Sequence, residues 1–279
     1  MKKSTSAARR ADPAHRTRST GSRDRARAPG SLHGLCRDLL EFFLPGCCLG
    51  CGGRIALDGW ERRVCARCLT ALRRPPAPLC ERCGIPLGSR PPRTDRCEEC
   101  RGWPPILRHA RSAAVLESPA DRLVHALKYE GWRALGSLMG DRMARVPLPP
   151  AARDPSTVVV PVPTTRTRRR RRGYNQAAVL AEAVGAALDL PVLRALLRRP
   201  GGTTQVALQP VERGRNVLRA FSVGEESRAR RIRGRPVLLV DDVLTTGATA
   251  GAAATALAAA GVSGVTVLTF ARALPYRGG

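Results

Sequence analysis

The chain has 279 residues, of which 48 are Lys or Arg and 22 are Asp or Glu, giving a formal net charge of +26 at pH 7. A chain of this length has room for about two domains and at least one substantial core. The apolar runs are all shorter than the roughly 18 residues that span a membrane, and no apolar segment follows the pair Arg9 and Arg10, so we expect a cytoplasmic protein without a membrane span or an export signal.

The excess of basic residues indicates contact with anions without selecting one. Clustered Lys and Arg bind the phosphate backbone of nucleic acids. Only three of the 48 basic residues are Lys, however, and Ala, Gly and Pro are also abundant, so much of the arginine is consistent with a GC-rich coding bias. The charge alone does not distinguish DNA from a small phosphorylated ligand.

The first part of the chain, residues 1–31, is rich in arginine and poor in large apolar side chains, which predicts a disordered basic tail. Either a solvated extension or a contact with nucleic acid or a membrane surface fits this composition. Residues 35–43 then place four apolar side chains at helical spacing, which predicts a short amphipathic helix that ends before Pro45.

Eight cysteines follow in two quartets of the same spacing, each with CxxC, thirteen residues and CxxC, offset by 32 residues. Zn²⁺ takes four thiolates in a tetrahedron, and this spacing resembles that of zinc ribbons. Structural disulfides are unusual in a cytoplasmic protein, ferredoxin spacings differ, and a redox CxxC motif does not recur four times. We therefore predict two structural zinc ions in a module over residues 35–104, paired sequentially or interleaved. The ligands would be Cys48, Cys51, Cys65, Cys68, Cys80, Cys83, Cys97 and Cys100.

The remaining residues, 105–279, alternate apolar runs with helical patterns, which predicts an α/β domain with a parallel sheet. A strand is expected over residues 111–116, followed by helices over 120–128 and 132–143. The next strand, Val158–Val162, is apolar throughout, as expected for a strand that is buried on both faces.

An arginine-rich loop is expected after this strand. It contains Arg166 and the run Arg168–Arg172, and it precedes a helix over Gln176–Leu188. Taken alone, the run suits a solvated surface or a nucleic-acid patch. Because parallel sheets bind ligands at the carboxyl ends of their strands, its position also favours a contact between Arg172 and a pyrophosphate group, with the other arginines facing outward.

A polar stretch without periodicity follows, at residues 200–219, and contains Gln205, Arg213 and Asn216. We predict a mobile loop that closes over bound substrate and excludes water from the reaction. A simple surface connection is the alternative.

The most informative segment is VLLVDDVLTTGATA, residues 237–250. Its first four residues have the length and β-branching of a buried strand, so Asp241 and Asp242 are expected at the carboxyl end of that strand. The following turn opens an alanine-rich helix over residues 252–260, and unpaired N–H groups at a helix N-terminus, together with the small Gly247, suit a phosphate. The two carboxylates suit ribose hydroxyls or hydrated Mg²⁺, so the segment predicts a site for a ribose 5-phosphate.

This segment has two other interpretations. A strand end with capping Asp and Thr residues is the simpler one. A P-loop is excluded because GxxxxGK[ST] is missing and because Lys128, the one lysine outside the N-terminal pair, is expected to lie far from the segment. A final strand is expected over Val265–Phe270.

This segment resembles the 5-phosphoribosyl 1-pyrophosphate (PRPP) loop of type I phosphoribosyltransferases in its hydrophobic strand, acid pair and TTGAT. From residue 35 to about residue 273 the order of parts resembles the ComF competence protein family. The parts are the zinc-ribbon module, HALKYEG at 125–131, PVP at 161–163, RGYNQ at 172–176, QxxLxxxxRxxN at 205–216 and VDDVLTTGAT at 240–249.

The resemblance implies a type I phosphoribosyltransferase-like fold and a part in DNA uptake during natural transformation or a related DNA transaction. It also implies PRPP phosphate at Thr245–Thr249, ribose at the acid pair and pyrophosphate near Pro161–Thr165, where Thr164 and Thr165 replace more usual apolar and His or Ser residues. The predicted PRPP-binding residues are Asp241, Asp242, Thr245, Thr246, Gly247, Ala248, Thr249, Pro163, Thr164, Thr165, Arg172, Gly173, Tyr174, Asn175 and Gln176, of which Asp241, Asp242 and Arg172 are the predicted catalytic residues.

Two functional hypotheses follow from the sequence. The first is an enzyme in which Mg²⁺ and PRPP bind together and a nucleophile displaces pyrophosphate from C1 of the ribose. The second is a non-catalytic accessory protein that binds nucleotides or single-stranded DNA and acts with a helicase-like partner. The sequence identifies neither the acceptor nor the partner.

Overall fold

The structure is a computed structural model that describes residues 46–55, 63–88, 97–198 and 220–275. The predicted tail over 1–31, the predicted helix over 35–43 and the loop with Gln205, Arg213 and Asn216 lie outside the described residues.

The described elements are named here in chain order. The strands are β1 Gly46–Cys47, β2 Arg54–Ile55, β3 Leu107–Val115, β4 Val158–Pro161, β5 Leu196–Arg198, β6 Phe221–Val223, β7 Pro236–Leu244 and β8 Gly264–Arg272. The α-helices are α1 Ala66–Ala71, α2 Ala120–Tyr129, α3 Leu135–Ala144, α4 Arg166–Arg172, α5 Gln176–Leu188, α6 Glu226–Ile232 and α7 Ala248–Ala259.

A four-stranded parallel sheet organises these elements. Its strand order is β3–β8–β7–β4, and each neighbouring pair is parallel. The inner strands β7 and β8 are mostly buried because packed elements cover both faces of the sheet, which is why they are largely apolar, apart from the acid pair in β7 and the threonines in β8, and lack a regular exposed polar face. The predicted parallel α/β fold is confirmed.

Each face of the sheet has its own hydrophobic core. On one face, α2, α3 and α5 pack against residues such as Leu238 and Phe270. The other face carries α7, the β5–β6 hairpin and α6, which pack against Val237 and Leu239. The two cores meet at the sheet, whose strand residues point alternately into one and the other.

Helices α3 and α5 approach each other closely because small residues face one another at their contact. A Cβ added at Gly140 would lie 2.3 Å from the Cβ of Ala183, which leaves no room for a larger side chain. Among the described residues, no helix is long and apolar enough to cross a membrane.

The acid pair lies within β7 rather than after it. The predicted strand ended at Val240, but β7 continues to Leu244 because β8 runs alongside and pairs Asp241 with Thr269 and Val243 with Ala271. Sequence hydrophobicity marks only the buried part of a strand, whereas backbone pairing decides its length. The pair still lies near the carboxyl end of the strand.

The predicted arginine loop is wrong, because residues 166–172 form helix α4. The side chain of Thr165 caps its N-terminus by accepting a hydrogen bond from Arg168 N at 3.2 Å, and Gly173 ends it in the left-handed conformation at φ 79°. Arginine is a good helix former, and cations in the last turn interact favourably with the helix dipole.

The eight paired cysteines form two separate clusters, and the pairing is sequential. Cys48, Cys51, Cys65 and Cys68 lie together, as do Cys80, Cys83, Cys97 and Cys100. The first cluster contributes buried sulfurs to the core with α2, α3 and α5, and the second contributes to the core with α7. Both belong to one compact unit with the sheet.

Candidate functional site at the carboxyl end of β7

The two carboxylates at the end of β7 have different surroundings. Asp241 lines a cavity of about 30 Å³ together with Thr245, Gly247 and Thr249 of the following turn. Asp242 is only 4% exposed, and its Oδ2 lies 3.0 Å from Nζ of Lys128. One acid therefore faces the turn and the other faces a cation on α2.

The ion pair with Asp242 corrects a prediction from the sequence, because Lys128 does not lie far from this segment. Helix α2 packs on the sheet through Leu123 and Leu127, which brings the last turn of the helix to the end of β7. The side chain of Lys128 is 21% exposed, so the pair is only partly reached by solvent. A separation of 114 residues in the chain concealed this contact.

Asp241 ionises with difficulty in the free protein. Burial and the negative charge of Asp242 raise the pKa of Asp241 to about 8, against the opposing effects of Lys128 and Arg198. Two carboxylates side by side in a partly dry site cannot both ionise cheaply, and a divalent cation or a set of sugar hydroxyls would relieve this. The donor set of two carboxylates beside a turn with exposed hydroxyl groups fits hydrated Mg²⁺.

The turn after β7 opens a helix, as the sequence predicted, but the helix begins at Ala248 rather than at Ala252. Gly247 adopts φ 82° and forms the N-cap of α7, which is 12 residues long. Thr245, Thr246, Ala248 and Thr249 are exposed. The polar side chains at the start of the helix are therefore accessible to an anion.

A large arginine-lined cleft lies at the carboxyl end of β4. It has a volume of about 680 Å³ and is formed between α4, α5 and the β5–β6 hairpin. Among the described lining residues, Glu182 is the one carboxylate, and it is paired with Arg194 at 2.5 Å. The arginines that line the cleft are Arg133, Arg166, Arg169, Arg194, Arg198 and Arg228.

Arg198 connects this cleft electrostatically with the acid pair. It lies at the end of β5, and its guanidinium packs 5.3 Å from the ring centroid of Phe221. Burial and the charge of Arg168 lower the pKa of Arg198, while the Asp241 carboxylate opposes that shift. The cleft and the acid pair are thus neighbouring parts of one electrostatic environment.

Several residues that the sequence predicted to bind PRPP line this cleft. They are Pro163, Thr164, Gly173, Tyr174 and Asn175. Asn175 donates from Nδ2 to the carbonyl of Val162 at 3.0 Å, which ties the start of α5 to the end of β4. Tyr174 Oη donates to the carbonyl of Leu127 and so joins α2 to the same corner.

Arg172 and Gln176 have another environment. Arg172 donates to Gln176 Oε1 at 2.9 Å, and its guanidinium lies 4.8 Å from the ring centroid of Tyr129. Of the arginines on α4, Arg166 and Arg169 line the cleft instead, because they lie one turn apart on the same face of the helix. Thr165 caps α4.

The geometry of the two cysteine clusters fits a tetrahedral metal ion. Within each cluster all sulfurs lie within 4.8 Å of one another. The Cys51–Cys65 and Cys80–Cys100 sulfur separations are both 3.9 Å, and four thiolates around Zn²⁺ at 2.3 Å stand about 3.8 Å apart. Backbone amides of Gly50 and Cys65 donate to Cys48 Sγ at 3.4 and 3.3 Å, as expected for a sulfur that carries negative charge.

Arginines near the second cluster supply a compensating charge. Arg272 is 1% exposed and donates to the carbonyl of Cys83 at 3.4 Å. Arg111 is half-buried, and burial lowers its pKa, against the opposing negative charges of Cys80, Cys83 and Glu81. A buried guanidinium needs a nearby anion, and a tetrathiolate site with a divalent ion carries a net charge of about −2. The donor set and its surroundings therefore both fit Zn²⁺.

Three residues near the site were missed in the sequence. Lys128 lies in the HALKYEG motif, and that motif could have identified it as a candidate site residue. Trp103 donates from Nε1 to the carbonyl of Thr246 at 3.1 Å, and its position three residues after Cys100 gave no indication of that contact. Arg198 had no signal, because its short strand borders a polar stretch without periodicity.

The comparisons with known proteins agree with this geometry. Residues 170–277 match the family model described as phosphoribosyl transferase domain. A parallel sheet with an acid pair and an anion-accessible turn at the carboxyl end of β7 defines a phosphoribosyltransferase-like protein. A glutamine PRPP amidotransferase from B. subtilis, solved with ADP and GMP, matches at 19% identity over 52% of this chain and 30% of that chain, with a TM-score of 0.36. A similarity this low adds nothing to the assignment.

Relatives of nearly full length identify the family. DNA utilization protein YhgH of Salmonella typhi is 30% identical over 247 residues, and that of Escherichia coli K12 is 30% identical over 237 residues; each match covers 83% of this chain and 99% of the relative. Competence protein F of Haemophilus influenzae is 29% identical over 237 residues, covering 81% of this chain and 96% of the relative. The chain belongs to the ComF family of competence and DNA utilization proteins, as its motifs predicted.

Proposed function

We propose that the chain binds PRPP with Mg²⁺ at residues 241–249 and acts as a phosphoribosyltransferase in a DNA transaction such as uptake during natural transformation. The observation that carries the proposal is that Asp241 lines one cavity with Thr245, Gly247 and Thr249 at the N-terminus of α7. Sugar hydroxyls on the acid and the 5-phosphate on the turn are then held by adjacent residues of one segment. The names of the relatives support the link to DNA.

In this proposal the protein acts by positioning and electrostatics. The bond between C1 and a pyrophosphate oxygen breaks, its electron pair leaves with pyrophosphate, and the acceptor forms the new bond to C1. Bound Mg²⁺ would supply charge neutralisation for the pyrophosphate. Arg166, Arg169 and Arg198 hold positive charge in the neighbouring cleft, where a leaving group accumulating negative charge is stabilised.

Calorimetric titration of PRPP with Mg²⁺ into zinc-loaded protein tests the proposal. We expect saturable binding, and a loss of at least tenfold in affinity for Asp241→Asn, since a hydrogen bond to a charged group contributes about 1.5–3 kcal/mol. Asp189→Asn is the matched control, because it makes the same chemical change at an exposed residue, the C-cap of α5, outside the proposed site. Absence of binding, or equal affinities for wild type and Asp241→Asn, would reject the proposal.

A second candidate function rests on the arginine-lined cleft. Six arginines face one carboxylate among its described lining residues, an excess larger than one pyrophosphate group needs. Phosphate groups spaced along a nucleic-acid strand would use such a row of guanidinium groups. The candidate function is a non-catalytic accessory protein that holds single-stranded DNA in the cleft and delivers it to a helicase-like partner.

Fluorescence anisotropy with a labelled oligothymidine at several salt concentrations tests this second function. The affinity should fall steeply with salt, and Arg169→Ala should reduce the salt slope by about 1. Arg170→Ala is the control, since Arg170 is exposed on the same helix and does not line the cleft. A weak salt dependence, or equal slopes for the two variants, would exclude the cleft as the DNA site.

Two structural zinc ions and a cytoplasmic location complete the proposal. Each cluster is filled by four cysteines, which leaves no position for a substrate ligand and favours a structural role. The thiols must stay reduced to bind metal, and the cytoplasm provides that condition.

A further inference from the structure

Trp103 connects the second cysteine cluster with the turn that precedes α7. It follows Cys100 by three residues, and its backbone amide donates to the carbonyl of Cys100 at 3.2 Å. At the other end of the side chain, Nε1 donates to the carbonyl of Thr246 at 3.1 Å. The ring itself is buried, with 7% of the residue exposed.

The ring also packs directly on Gly247. A Cβ added there would lie 2.5 Å from Cζ2 and 2.6 Å from Cε2 of Trp103, so only glycine leaves room for the indole. The next residue, Pro104, approaches the first turn of α7, where a Cβ on Gly251 would lie 3.4 Å from its Cδ. The segment after the second cluster thus covers one side of the turn and of the helix start.

Arg82 holds this segment in place from within the second cluster. Its guanidinium is almost fully buried and donates to the carbonyls of Leu107, Cys100, Trp103 and Pro104 at 2.9–3.1 Å. Arg82 lies between the ligands Cys80 and Cys83, so the metal knuckle fixes the backbone from which this side chain extends. Arg82 therefore links the backbone of the second cluster directly to the backbone of Trp103.

The hydrogen bond from Trp103 to Thr246 fixes the orientation of the peptide group between Thr246 and Gly247, in the turn where we propose that phosphate binds. In a trans peptide the carbonyl and the next N–H point in opposite directions. When Trp103 holds the carbonyl of Thr246, the N–H of Gly247 points in the opposite direction, away from the indole nitrogen. That N–H is one of the donors that the start of α7 offers to an anion.

We propose that Trp103 is a positioning residue that sets the phosphate-binding turn and makes its affinity depend on the integrity of the second cysteine cluster. The proposal rests on the phosphate-binding role of the turn proposed above. It also gives the second cluster a purpose beyond folding, because this cluster, through Trp103 and Arg82, forms one wall of the turn. Trp103 acts through the backbone of Thr246 and Gly247 and need not touch the ligand.

Calorimetry with PRPP and Mg²⁺ on full-length, zinc-loaded variants tests the proposal. Trp103→Phe keeps an aromatic ring and removes the donor to Thr246, so we expect its Kd to rise about three- to tenfold at a temperature where the variant is fully folded. Trp132→Phe is the matched control, because Trp132 packs in the other core, beside Arg63, and should bind as wild type does. If Trp103→Phe binds like Trp132→Phe, the positioning role is refuted while PRPP binding stands. If wild type fails to bind PRPP, both proposals fall.

A fluorescence measurement provides a readout besides affinity. In the Trp60→Phe/Trp132→Phe variant, Trp103 is the one remaining tryptophan of the three in the chain. We expect PRPP to change its emission, and chelation of zinc to shift the emission to longer wavelength and abolish PRPP binding, with both effects reversed by added zinc. Unchanged PRPP affinity after loss of zinc from the second cluster would overturn the coupling.

Discussion

The environment of Asp241 disfavours the ionised form of its carboxyl group. Burial and the adjacent Asp242 disfavour its charge, and this raises the pKa to about 8. Ionisation of this carboxyl group is therefore unfavourable in the protein without a ligand. A ligand that brings positive charge or hydroxyl donors would stabilise the ionised carboxylate.

This pKa predicts how stability depends on pH. In the unfolded chain an aspartate has a pKa near 4, so between about pH 4 and pH 8 the folded state binds the extra proton and the free energy of unfolding falls as pH rises. Asp241→Asn removes that contribution. We expect the free energy of unfolding of the variant minus that of wild type, measured with urea, to be larger at pH 8.5 than at pH 5. An identical difference at the two pH values would show that Asp241 titrates normally.

Lys128 has a complementary role at the neighbouring acid. Lys128→Met leaves the buried carboxylate of Asp242 without its cation, and we expect a loss of about 1–3 kcal/mol in the free energy of unfolding. Arg122→Met is the control, because Arg122 is an exposed cation on the same helix and should change stability by less than about 0.5 kcal/mol. In the double variant Lys128→Met/Asp242→Asn, most of the loss should be recovered. Additive effects of the two substitutions would contradict a direct pair.

At the scale of the elements, the junction between β7 and α7 combines a backbone requirement with a packing requirement. Gly247 needs a positive φ to start α7, and it also needs to lack a Cβ because the indole of Trp103 occupies that space. Either requirement alone would favour glycine. Together they make the position intolerant of any side chain.

The two requirements can be separated by substitution. Gly247→Ala should lower the free energy of unfolding by about 1–3 kcal/mol more than Gly234→Ala, because overpacking against Trp103 adds to the backbone cost. Gly234 is the control, since it has φ 72° and a Cβ added there meets no atom of the described residues within 4 Å. Urea unfolding of the two variants gives the comparison. Equal losses would show that the contact with Trp103 costs nothing.

For the whole molecule, the two cysteine clusters join the described segments that contain them, within residues 46–100, to both faces of one sheet. The first cluster joins the core with α2, α3 and α5, and the second joins the core with α7. Neither cluster belongs to a separate small body among the described residues. Loss of metal should therefore affect the α/β part of the molecule as well as the cysteine segments.

Metal removal tests this dependence. We expect two zinc ions per chain by elemental analysis, and we expect a chelator to lower the thermal unfolding midpoint by more than about 10 °C, because structural zinc contributes folding energy directly. Zinc should restore the midpoint, whereas Mg²⁺ should not, since thiolates are poor ligands for Mg²⁺. A midpoint that is unchanged in metal-free protein would show that the clusters are dispensable for folding.

The sequence by itself determined the features that are local in the chain. The four CxxC motifs, the strand with its acid pair and the turn at Gly247 are each encoded within a few residues, because metal knuckles, buried strands and helix starts depend on short-range spacing and residue type. The grouping of the CxxC motifs into two sequential clusters was decided by the structure. The helix over Gln176–Leu188 has the predicted bounds for the same reason. The arginine helix was missed, since its cap at Thr165 and its end at Gly173 carry less weight than the charge run between them.

Only the tertiary structure decided which of these features lie together. The contact of Lys128 with Asp242 and the contact of Trp103 with the turn join residues 114 and 143 positions apart in the chain. The cleft likewise assembles arginines from several separate elements. Such contacts are set by how helices and clusters pack on the two faces of the sheet, and that packing depends on the complementary shapes of many side chains at once rather than on any local pattern.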